Sequence, residues 1–102
     1  MGFFNRLTDF GDREQVRTYA ARISIGIQQI ERETNANNIR GLSIAIRQDV
    51  QAMMMYATKL TNESINCLDV NVNGHKIPFP VFLRDLTIQS VEIEKKGGYS
   101  II

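Results

Sequence analysis

The sequence predicts an α+β fold: a two-helix antiparallel hairpin with a short N-terminal helix, packed on a small C-terminal antiparallel sheet of three or four strands. Three observations predict it. Two long stretches in the first sixty residues carry apolar side chains at helical spacing. Their stripes are out of phase across an asparagine-rich junction. After Cys67 the apolar period becomes two, around an Asn73-Gly74 pair. The expected organisation is one domain over 1–102, with an amphipathic segment over 1–11, a helical hairpin over 12–62 and a β hairpin or meander over 67–102.

In the first segment Phe3, Leu7 and Phe10 step by +4 and +3 beside Phe4. That suits a two-turn amphipathic helix, too short to hold alone in water. Its phenylalanines are expected to dock, on the chain's own helices or on a partner. Gly11 breaks the pattern. Asp12 then suits an N-cap, with Gln15 at capping-box spacing.

Residues 13–33 form the first long helix in this reading. Val16, Ala20, Ile23, Ile27 and Ile30 make one stripe, with Ile25 opposite it. From Ile30 to Ile39 is nine residues, about half a turn out of phase at roughly 100° per residue. The helix is therefore expected to break between them, with Asn37 or Asn38 capping the next one.

Residues 38–62 form the second long helix and carry the most informative pattern. Ile39, Leu42, Ile46, Val50, Met53, Ala57 and Leu60 fall within a wedge of roughly 80°. Ile44 and Met55 lie on the far side, and of the three consecutive methionines Met53 is core by phase while Met54 and Met55 are candidates for an interface. A helix apolar on two sides is either central in its domain or covered by another chain.

Leu68, Val70 and Val72 then alternate with polar residues, and Asn73-Gly74 is a strong hairpin signal. A two-residue turn pairs Val72 with His75, Val70 with Ile77 and Leu68 with Phe79. Pro78 lacks a ladder donor, so the second strand is an edge or stops there. Pro80 can open a helical turn. Over 86–94, Leu86 and Ile88 share one parity and Val91 and Ile93 the other, which suggests a third strand with a bulge. Gly97-Gly98 suits a turn, and 99–102 a last short strand ending in Ile101-Ile102.

Composition narrows the function classes. Hydrophobic residues at 43% and charged residues at 23% are ordinary globular values. A net charge of +1 argues against coating nucleic acid non-specifically. The single Cys67 leaves no internal disulfide and no cysteine-based zinc site, and fits a reducing compartment. No apolar run approaches the roughly 18 residues of a membrane span, and the N-terminus has no stretch of signal-peptide type. The expected setting is cytoplasmic.

No motif is specific enough for a family name or a cofactor. The single cysteine and single histidine do not make a nucleophile–base pair, because the hairpin register holds Cys67 and His75 roughly 17 Å apart on opposite faces. Cys67 is expected to be a small buried hydrophobe. The chain has eight arginines against four lysines. Arg40 and Arg47, seven residues apart, share one side of the second helix and could take a phosphate or nucleic acid. A solvated, salt-bridged helix surface explains them more simply. The reading with most support is a non-enzymatic interaction or assembly protein. It would self-associate, or join a larger assembly, through Phe3, Phe4, Ile25, Ile44, Met54 and Met55. The arginine-based binder is the alternative.

Overall fold

The computed structural model describes the backbone of residues 2–102 and the side chains of residues 9–102. The expected docking of Phe3 and Phe4 lies outside the described side chains. The architecture is mostly helical, with a two-stranded antiparallel sheet packed against the helices. In order come α1 (Gly2–Arg32), α2 (Ala36–Ala57), α3 (Asn62–Asn66), β1 (Asp69–Val72), β2 (His75–Pro78) and α4 (Phe79–Lys95).

The predicted separation of a short N-terminal helix from the first long one is not observed. α1 runs unbroken through Gly11 and Asp12. One glycine in a helix interior costs only about 1 kcal/mol relative to alanine, too little to stop a helix of this length. Asp12 is therefore no N-cap. One turn before it, Asp9 accepts a hydrogen bond from Ser64 Oγ at 2.6 Å, which ties α3 to α1. Phe10, expected to dock, is exposed.

The predicted break between the long helices is present. Its cap is Asn35, not Asn37 or Asn38: Asn35 Oδ1 accepts from the backbone N–H groups of both residues. Glu33 steadies the same corner. Its Oε1 accepts from the N–H groups of Asn35 and Thr34, and those bonds hold its carboxyl below the usual carboxylate range. α2 ends at Ala57, short of the predicted 62. The polar stretch after it contains α3, capped by Thr61 Oγ1, which accepts from Ser64 N–H. The stripes of α1 and α2 meet in the core, where Val16, Ile23, Ile30, Ile39, Ile46 and Met53 are buried.

The β hairpin has the predicted register: Val72 pairs with His75 and Val70 with Ile77, and Phe79 N–H donates to Leu68 O at 2.8 Å. Asn73 and Gly74 take φ of 55° and 80°, as a two-residue turn between twisted strands requires. Leu68 and Val70 face the core. Arg17 Nε donates to Asp69 O at 3.1 Å, tying β1 to α1. Cys67 is not buried as expected; it is exposed at the end of α3.

The predicted third strand is a helix. Phe79, Phe82, Leu86, Ser90 and Ile93 are the buried positions of α4, and they step by +3, +4, +4 and +3. Ser90 puts a polar residue in the middle of that stripe and hid the helical period. What remained, Leu86, Ile88, Val91 and Ile93, mimicked a bulged strand. Pro80 lies in the first turn of α4, where its missing N–H is harmless. Among the described residues the sheet thus has two strands, not three or four.

Residues 97–102 form no strand either. They run as a tail beside α2 and α4. Tyr99 N–H donates to Ser43 Oγ at 2.9 Å and Ile101 N–H to Ser90 Oγ at 3.1 Å, so two buried serines replace a strand partner. Ser43 Oγ in turn donates to Arg40 O. Ser43→Ala is expected to leave the Tyr99 N–H without its acceptor, at a cost of about 1–3 kcal/mol. Urea unfolding reads that loss, together with faster hydrogen exchange at the Tyr99 amide.

Candidate interaction surface

α2 places its residues on three distinct surfaces outside the core. Toward α1, Tyr56 stacks on Tyr19 with ring centroids 6.0 Å apart. Arg22 lies over Tyr19 and Lys59 over Tyr56, at 5.4 and 5.1 Å from the ring centroids. Arg22 also pairs with the half-buried Asp49 at 3.2 Å. This aromatic and ionic ladder ties α1 to α2 at the Tyr56 end of this side.

Toward the tail, Val50, Met54 and Met55 border an open groove of about 420 Å³, with Ile101 and Ile102 on its other wall. Among the described residues, Gln51 and Thr58 are the only polar ones lining it. Met55 is 69% exposed and Ile102 58%, while Ile101 beneath them is fully buried. Met54 packs partly on the core and offers the rest of its side chain to the groove. Methionine is unbranched and polarizable, which suits a surface that must adapt to a partner.

Between these surfaces lies the outermost line of α2. Ile44, 46% exposed, and Met55 are eleven residues apart, just over three full turns, so they project in nearly the same direction.

The structure thus gathers Met54 and Met55 in one groove and aligns Ile44 with Met55, but it sets Ile25 apart. Ile25, 57% exposed, lies in a separate shallow groove between α1 and α2, beside Leu42, Ala45 and Asp49. Sequence reasoning missed Ile88, Val91 and Tyr99, all exposed. Ile88 and Val91 carried a legible signal: they are three residues apart and off the stripe of Leu86 and Ile93, as exposed positions on a helix would be.

The arginines do not form a built anion site. Arg40 Nη2 donates to Asn37 Oδ1 within its own helix. Arg17 bonds Asp69 O and pairs with Glu14, and Arg22 is held by Asp49 and Tyr19. Arg47 is exposed and makes no ion pair among the described residues. His75 is exposed beside the hairpin turn. Among the described residues no group of three or more His, Cys, Asp or Glu side chains is placed to hold a metal ion, and no helix is long and apolar enough to cross a membrane.

No family model, curated protein or solved structure matches the chain.

Proposed function

We propose that this chain is a non-enzymatic interaction protein that self-associates through the outer face of α2 and the edge of the tail. The observation that carries the reading is the apolar groove where Met54 and Met55 meet Ile102. Ile44 is a second exposed apolar side chain on the same line of α2, beyond Gln48 and Gln51. An exposed apolar groove is a common mark of a partner site, whereas single exposed hydrophobes need no explanation. Ile25 becomes a secondary contact in this reading. Phe3 and Phe4 retain their proposed role on sequence grounds alone. A single exposed thiol suits the reducing cytoplasm.

Light scattering on a sizing column, over a range of concentrations, tests the proposal. The chain has a mass of 11.6 kDa, and a stable multiple of it is expected. Ile44→Asp with Met55→Asp should return the mass to one chain with unchanged far-ultraviolet circular dichroism, because both side chains lie outside the core. A parent that is monomeric at every concentration, or an assembly that survives both substitutions, would overturn it.

A further inference from the structure

On another side of the molecule, a cleft opens between α1, the β hairpin and α4. It shares no residue with the groove at the tail. Its apolar floor is Ile27 from α1, Ile77 from β2, and Phe82 and Leu86 from α4. Its volume is about 190 Å³. An apolar cavity of about 150 Å³ accepts benzene, so a six-carbon group fits this space.

The rim decides the charge of what can enter. Glu31 and Asp85, on the two helices that wall the cleft, are its only charged lining residues among the described ones. Neither is in an ion pair among the described residues. Lys96, at the same end of α1, turns its ammonium to the carbonyls of Ile30 and Glu31, at 2.7 and 3.1 Å. Two carboxylates at the rim of an apolar cleft repel an anion and attract a cation, by the modest amount that solvent-exposed charges allow. Gln28 and Gln89 stand beside them as neutral hydrogen-bonding groups.

We propose that this cleft binds a small primary alkylamine, its chain on the Ile27–Phe82–Leu86 floor and its ammonium at Glu31 and Asp85. The site is independent of self-association through α2.

Titration of the ¹⁵N-labelled chain with n-hexylamine, followed by amide chemical shifts at neutral pH, tests this. Saturable shifts are expected at cleft residues such as Ile77, Leu86 and Gln89, with a Kd on the order of 1 mM for so small a ligand. Hexanoate, equal in length and opposite in charge, should bind at least about tenfold more weakly, the effect of reversing one close charge interaction. Glu31→Gln with Asp85→Asn should weaken hexylamine about fivefold or more and leave 1-hexanol binding unchanged, since both carboxylates are exposed and the floor is intact. Hexanoate binding as tightly as hexylamine, non-saturating or scattered shifts, or a double variant that binds hexylamine like the parent would each overturn the proposal.

Discussion

Ile101→Ala is expected to destabilise the fold by about 2–5 kcal/mol, the range for deleting a buried branched side chain from a packed core. In a domain of this size such a loss lowers Tm by roughly 10 °C or more. Ile101 is fully buried although it lies in a tail with no regular secondary structure. Its side chain belongs to the same core cluster as Ile39, Val50 and Ile93, and its N–H is held by Ser90. Ile102→Ala is the matched control. Successive side chains of an extended segment point to opposite sides. Ile102 is accordingly exposed in the single chain, so in the monomeric Ile44→Asp, Met55→Asp background its truncation should change stability by less than about 0.5 kcal/mol. Thermal and urea unfolding of the two variants side by side measure the difference. Equal effects would mean that the tail is not seated as described.

Two glycine-to-alanine substitutions are expected to act with opposite signs. A Cβ on Gly98 would stand 2.6 Å from Ile93 Cγ2, 3.1 Å from Ile39 Cγ2 and 3.2 Å from the carbonyl oxygen of Ile93. The carbonyl cannot yield easily, because it accepts the Gly98 N–H at 2.9 Å and so closes the end of α4. Gly98→Ala should therefore cost about 1–3 kcal/mol through overpacking. Its neighbour Gly97, at φ 99°, makes the turn that lets the tail leave α4. Gly41 differs in both respects: it is exposed in the body of α2, and a Cβ there would meet nothing within 4 Å. Gly41→Ala should stabilise by about 0.5–1 kcal/mol, by restricting the unfolded chain and favouring helix. Denaturant midpoints read both signs. A stabilising Gly98→Ala would show that the tail does not pass between Ile39 and Ile93.

The elements read correctly from sequence are those fixed by local pattern. The stripes of α1 and α2 repeat over several turns, and the half-turn phase jump from Ile30 to Ile39 required a break. Asn73-Gly74 set both the turn and the pairing of Val70 with Ile77, because positive φ at two successive positions admits few residues. The second apolar side of α2 was legible for the same reason. Ile44 and Met55 are off phase with a stripe long enough to define the phase.

Tertiary structure alone decided the rest. Helix or strand at 86–94 turned on Ser90, whose polar side chain occupies a core position because its hydroxyl accepts the N–H of Ile101. The other end of that bond lies eleven residues on, in the tail, and the local apolar period around Ser90 carries no sign of it. The tail was likewise read as a strand because its backbone must find partners, and its composition cannot say that Ser43 and Ser90 supply them. The seat of Ser64 on Asp9 and the meeting of Met54 with Ile102 depend on segments about fifty residues apart. Sequence fixes local periodicity and turn chemistry because those act between near neighbours. Which distant polar and apolar groups satisfy one another is settled only when the helices pack.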